Sequence, residues 1–365
     1  MPAASSTPDP RTARAAVVAG VLVAAVVFVA TLLWAKWLPY AARVSDLRAG
    51  GAWSGSSVLG VGGVRPGDPP SWHAATSFTA AYVQAVWKAL VAALLISAAL
   101  QSLVPRAWLL RLLNRRGRMS SALAGGLCST PSMMCTCCTA PVAVSLRRSG
   151  VSTPAAVAYW LGNPLLNPAV LVFLLLVAPW QWTVTRLVVG ALVVVGGAAL
   201  VARLTDGRRE TVTPAASSLA GNDEPEPVGT ERLSRAPARF GRALLRLSLV
   251  LVPEYLVIVL LIGALRGWLF PLGAGLSSGL LVVLTAAVVG TLLVIPTAGE
   301  IPVLQGLALA GVAAGPIGAL LITLPAVSVP GIVMVGRALE WRTTAATAAM
   351  VAAGGLLGAG LLAVL

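Results

Sequence analysis

The chain has 365 residues, of which 58% are hydrophobic and only 10% charged. Soluble domains carry about 25% charged residues, so composition argues against a soluble globular protein and for an all-α integral membrane protein. The formal net charge is +14, yet the basic residues fall in short segments between apolar runs. There they orient a chain in a bilayer, and no nucleic-acid motif accompanies them.

Residues 1–16 are rich in Pro, Ala, Ser and Thr and are expected to be a disordered cytoplasmic N-terminus. Residues 17–38 form an apolar run long enough to span, since about 20 residues suffice. A signal peptide would have an apolar region of only about 7–15 residues. The run instead ends in Trp34, Lys36, Trp37 and Tyr40, which read as an interfacial anchor. It is therefore expected to be a retained, extra transmembrane helix. Residues 39–79 read as an extracytoplasmic loop.

A first unit is expected over 80–204. It begins with a span at Ala80–Leu103 and a basic stretch at Pro105–Arg118. A short apolar piece, Ser120–Met134, leads to Cys135-Thr136-Cys137-Cys138 and a second short piece, Pro141–Arg148. Val151–Val177 is long enough to span but is interrupted by Asn163-Pro164 and Asn167-Pro168. Val184–Ala202 closes the unit. Residues 205–243 read as a polar, Pro-rich cytoplasmic linker that buries little. A second unit, 244–365, contains spans at Leu244–Leu265 and Ala345–Val364. Between them lie the short pieces Leu276–Ile295 and Val303–Gly311, then Gly315–Val335, which is interrupted by Pro325 and Pro330.

The second unit repeats the first. A shift of 161 residues places Pro141 on Pro302, Gly150 on Gly311, Val151 on Val312 and Pro164 on Pro325, and Asn167 falls on Ser328. The two short pieces of each unit read as a re-entrant hairpin. With a cytoplasmic N-terminus, most of the 26 Lys and Arg residues then lie inside, as the positive-inside rule requires. Lys36, Arg43, Arg48, Arg65, Arg186 and Arg266 lie outside. This topology gives about seven full spans and two hairpins entering from opposite faces, an inverted repeat. Paired interrupted helices of this kind mark the midplane binding site of secondary transporters.

All four cysteines lie between Cys128 and Cys138. Four are too few for a disulfide framework in a chain of this length, and the lone His73 excludes a histidine-rich metal site. Cys135, Cys137 and Cys138, preceded by Met133 and Met134, form a soft-ligand patch. Such sulfur selects Cu(I), zinc and other thiophilic species, trivalent arsenic among them. Cys128 reads as a packing residue. Glu300 stands in the loop equivalent to the cysteine loop, at the position of Thr139, and could carry a coupling proton, since ionisable groups in apolar sequence are costly. Glu254 is the other such residue, and Lys88 is its candidate partner. Asn163, Asn167, Thr323 and Ser328 flank the breaks, where they either line a pathway or satisfy freed backbone groups. No Walker motif is present, and no cofactor is expected. The expected partners are a small thiophilic solute or soft metal ion, membrane lipid and a coupling proton. A membrane thiol oxidoreductase is the alternative from another class, although Cys-x-Cys matches redox motifs less well than Cys-x-x-Cys.

The segment Cys135–Gly150, followed by Asn163-Pro164, resembles the ArsP/YraQ-like family of permeases, which includes organoarsenical efflux proteins. The family pattern reads Cys-Ser-Cys-Gly-x-x-Pro, and here it reads Cys135-Thr136-Cys137-Cys138-Thr139-Ala140-Pro141. The family's two cysteines fall on Cys135 and Cys137. Thr136 replaces serine, and Cys138 stands where the family has glycine. The resemblance extends over roughly residues 80–365. It implies a non-enzymatic permease of the cytoplasmic membrane that exports trivalent organoarsenicals. The extra thiol and Met133-Met134 keep export of copper or zinc open.

Overall fold

A computed structural model of the chain describes residues 10–50, 58–65, 67–205, 236–269, 279–293, 297–309 and 311–365. Every regular element among them is helical. Helix α1 (Pro10–Leu32) passes through a π-helical turn (Leu33–Trp37) into α2 (Leu38–Arg48). Helix α3 (Trp72–Ser102) is capped by Ser71, whose side chain accepts from the Ala74 N–H. A short α4 (Arg106–Leu113) precedes the first hairpin, α5 (Arg118–Ser129) and α6 (Thr136–Arg148). An interrupted helix follows as α7 (Thr153–Leu165) and α8 (Pro168–Val177), then α9 (Trp180–Ala191), which continues through a second π-turn into α10 (Ala198–Thr205). The second half comprises α11 (Ala236–Leu269), the hairpin α12 (Leu280–Leu292) and α13 (Glu300–Leu309), the interrupted pair α14 (Ala314–Ala326) and α15 (Val329–Leu339), and α16 (Trp341–Val364).

Several helices start earlier than hydropathy alone indicates. Helix α1 begins at Pro10, inside the segment read as a disordered tail. Helices α2 and α3 take up much of the expected loop at 39–79, and α11 begins at Ala236, inside the expected linker. These extensions are polar or mixed turns that continue a helix beyond its apolar stretch. The remainder of the linker, 206–235, lies outside the described residues.

Among the described residues, six helical stretches are long and apolar enough to cross a membrane. The pair α14–α15, bent by 54°, makes a seventh. Their outer faces carry exposed Leu22, Val26, Leu175, Leu245 and Leu357, as expected where lipid rather than water is the solvent.

The 161-residue shift reappears in the helix boundaries. Starts at Thr153, Pro168 and Trp180 become starts at Ala314, Val329 and Trp341. The ends of α6 and α13 match bond for bond. Gly150 N–H donates to Arg147 O and Val151 N–H to Leu146 O. At the shifted positions, Gly311 N–H donates to Ala308 O and Val312 N–H to Leu307 O. This is the Schellman arrangement, and it needs a left-handed residue, with φ +89° at Gly150 and +82° at Gly311. Side-chain packing recurs as well. A Cβ on Gly162 would meet the Ser129 hydroxyl, and a Cβ on Gly290 would meet that of Thr323. Ser129 and Gly162 shift onto Gly290 and Thr323, so the same contact is made with glycine and hydroxyl exchanged.

Helix α3 packs along α11, the two opening spans. Each hairpin's first limb packs on the interrupted helix of its own half, α5 on α7 and α12 on α14. Helix α6 sits among α3, α7 and α15. Small residues permit this closeness, as is usual between helices in lipid. At Gly318 and Gly358, a Cβ on either one would strike the other's carbonyl.

Candidate functional site

The first hairpin turns at Met133, which is left-handed with φ 49°. Cys135 ends the turn in an extended conformation and is the residue preceding α6. The loop is held from α7. Asn163 Oδ1 accepts from the Ser132 hydroxyl and from the Met134 N–H, while Asn163 Nδ2 donates to Tyr159 O. Trp160 Nε1 donates to Thr136 O at 3.1 Å. Asn163 therefore braces the loop.

This bracing brings Cys135, Cys137 and Cys138 together. All three are buried, and their sulfurs lie within 4.8 Å of one another. Cys135 Sγ and Cys137 Sγ are 3.0 Å apart. Tyr82 Oη lies 3.4 Å from Cys137 Sγ, and Tyr255 donates its hydroxyl to the same sulfur at 3.6 Å. The two tyrosines come from α3 and α11, so both halves of the molecule line the cluster. Cys128 is half-buried on α5 and stands outside it. A closed structural zinc site needs four ligands. Among the described residues only these three converge here, which leaves room for a soft species that takes two or three sulfurs.

The hairpin tips meet the breaks in the opposite halves. Thr136 Oγ1 donates to Pro325 O at 2.7 Å and to Ala326 O at 2.8 Å. These are carbonyls at the end of α14 that the interruption leaves without helical partners. The shifted carbonyls, Pro164 O and Leu165 O at the end of α7, are met by Arg186. Its Nη2 donates to Pro164 O at 2.7 Å and its Nε to Leu165 O at 3.3 Å. Its Nη1 pairs with Glu300 Oε1 at 2.8 Å. Arg186 and Glu300 are both buried. Glu300 thus opens α13 and, through Arg186, binds the second hairpin to the first half's break.

From sequence, Arg186 counts among the outer basic residues, at the outer end of the span Val184–Ala202. The structure corrects this because α9 starts at Trp180 and carries Arg186 one and a half turns inward. Lys36 needs the same correction. Instead of anchoring at an interface, it is 8% exposed, with Nζ 3.2 Å from Tyr40 Oη and 3.4 Å from Thr297 Oγ1. Its neighbour Trp37 donates Nε1 to Pro131 O at 2.8 Å. Adjacent residues of one π-turn therefore touch both hairpin loops. Tyr82 and Tyr255 were also missed, and an apolar run containing one tyrosine gives no signal for them.

Asn167 caps α8, accepting from the Ala169 and Val170 N–H groups. Ser328 holds the same place before α15 but makes no capping bond, and its buried hydroxyl has no partner among the described residues. Thr323 bonds back to Ala319 O within its own helix. The Glu254 side chain lies outside the described residues. Lys88, its expected partner, stands over the rings of Trp34 and Trp87, 5.9 and 5.8 Å from their centroids.

Fold and site together define a multi-pass helical membrane protein with a thiol cluster where its two halves cross. Residues 71–363 match the family model ArsP_1, described as a predicted permease, and the chain belongs to this family. It is 41% identical over 336 residues to the UPF0718 protein YraQ of Escherichia coli (strain K12), covering 92% of each chain. No solved structure matches.

Proposed function

We propose that this permease exports a thiophilic solute across the cytoplasmic membrane, with trivalent organoarsenicals as the solute class. The observation that carries this reading is the convergence of three buried sulfurs at the crossing of the two halves. Capture is by ligand exchange. Two cysteine thiols displace two hydroxyl groups from an organoarsonous acid, forming two As–S bonds and releasing two waters. No electron is transferred, and the step reverses when water re-enters on the far side. Cys135 and Cys137 are the exchanging pair, and Cys138 is the third sulfur within reach. Soft metal export is the second reading, favoured by Cys138 itself, since a third thiolate suits copper or zinc.

The recurrent helix boundaries support an inverted repeat with alternating access, in which the hairpin tips separate from the breaks they now hold. Glu300 is the proposed coupling site. Protonating it weakens its bond to Arg186 and loosens the second hairpin from the break at Pro164. Asn163 and Asn167 shape the pathway by fixing the backbone, and Ser328 faces the solute.

Everted vesicles test this reading. Uptake of methylarsonous acid should depend on the full chain and fall at least about tenfold in Cys135→Ser and Cys137→Ser. Cys128→Ser should transport as the parent does. Unchanged uptake in the first two variants would refute the thiol reading.

A further inference from the structure

Four features give the thiol cluster a positive and hydrogen-bond-donating surround. Lys36 is the first. An ammonium has three donors, and the described residues supply two acceptors, Tyr40 Oη and Thr297 Oγ1. Both are neutral, and no described carboxylate pairs with it. Lys36 reaches Thr297 in the second hairpin's loop, and the adjacent Trp37 bonds Pro131 O in the loop that leads to Cys135, so Lys36 stands between the two hairpin loops. The second feature is the N-terminus of α6, which begins immediately after Cys135. The third is the N-terminus of α15, packed against α6. Helix N-termini carry unsatisfied N–H groups and partial positive charge. The fourth is the Ser328 hydroxyl at that second terminus, 5% exposed and without a partner among the described residues. A Cβ on Gly331 would touch both the Thr136 methyl and Ser328 Oγ, so this hydroxyl stands beside the first turn of the cysteine helix. The one carboxylate of the crossing, Glu300, is already neutralised by Arg186.

A buried lysine without a counter-charge is costly and is retained where a ligand supplies the charge. A buried hydroxyl without an acceptor is costly in the same way. Resting on the proposed thiol exchange, we propose that the solute is bipartite: a thiophilic centre taken by the cysteines, joined to an anionic oxygen group received by Lys36, Ser328 and the start of α15. A copper(I) dithiolate would also answer to the lysine charge, but it offers no acceptor to Ser328. The π-turn at Leu33–Trp37 makes the arrangement possible. It lies outside the 71–363 family match, so the anion-receiving lysine is carried by a helix that precedes the family region.

Three arylarsonous acids that differ at the para position test this in everted vesicles holding the full chain. One carries a para-carboxylate, one is unsubstituted and one carries a para-trimethylammonium group. Copper(I) is the fourth probe. The parent chain should take up the carboxylate at least about tenfold faster than the ammonium probe. Lys36→Met and Ser328→Ala should each bring that ratio down toward about twofold, and Lys36→Arg should retain it. If Lys36→Met does not fold, Lys36→Arg against Ser328→Ala still decides. A parent ratio near one, a ratio unchanged in Ser328→Ala, or faster uptake of copper(I) would overturn the proposal. Failure of the thiol reading looks different: Cys135→Ser would leave uptake of all three arsenicals intact.

Discussion

The two halves of the molecule solve one problem with different chemistry. Each interrupts a helix at a proline, Pro164 or Pro325, and so exposes a pair of carbonyls at the crossing. In the second half a neutral hydroxyl, Thr136 Oγ1, satisfies the pair directly from the first hairpin. In the first half the pair is met by a guanidinium, which then needs Glu300 on the second hairpin as its counter-ion. The same backbone geometry is thus closed once by a neutral bond and once by a charge relay. Only the second can be loosened by a proton. The neutral crossing carries the thiols and the charged one carries Glu300, so the proposed capture and coupling sites lie on opposite hairpins.

Breaking the charged crossing should have the largest effect. Arg186→Met leaves Glu300 buried without its partner, and removing one member of a buried pair costs about 3–5 kcal/mol. Thermal denaturation in detergent should show this loss, and adding Glu300→Gln should restore the part due to the unpaired carboxylate, leaving about 1–3 kcal/mol for the two freed carbonyls. If Arg186→Met melted with the parent chain, the charged crossing would not be holding the second hairpin. The neutral crossing should be cheaper to break. Thr136→Val leaves two carbonyls to find other partners, at about 1–3 kcal/mol, in the same assay. A larger loss than for Arg186→Met would reverse the order drawn here.

The smallest effects separate the two helix starts. Asn167 caps α8 with two bonds, so Asn167→Ala should cost about 1 kcal/mol. Ser328 makes no capping bond and its buried hydroxyl is unsatisfied, so Ser328→Ala should not lower stability and should raise it by up to about 1 kcal/mol. The loss should appear in solute choice instead. Equal melting shifts for the two variants would mean that Ser328 caps α15 after all.

Much of this arrangement was legible in the sequence because proline and glycine fix backbone geometry wherever they stand. Pro164 and Pro325 marked the breaks and Gly150 and Gly311 marked the left-handed helix ends, while the cysteines read as a loop before Pro141 are taken instead into the start of the helix, Thr136–Arg148. The crossings themselves were hidden. Glu300 stands 114 residues from Arg186, and Pro325 stands 189 from Thr136, and no local pattern joins them. Hydropathy started α9 at Val184 because Trp180–Thr183 is only mildly apolar, which left Arg186 near a helix end. Lys36 was misplaced for a different reason. A regular helix advances 100° per residue, and a π-turn inserts a residue that resets this phase. The side of the helix on which Lys36 falls therefore cannot be counted from its neighbours.

Native mass spectrometry of the purified full chain with methylarsonous acid tests the central claim most directly. One arsenical per chain is expected, at the mass of the acid less two waters. The adduct should persist in Cys128→Ser and be lost in Cys135→Ser and Cys137→Ser. An adduct of the same mass in those two variants, or a parent chain that forms none, would contradict it.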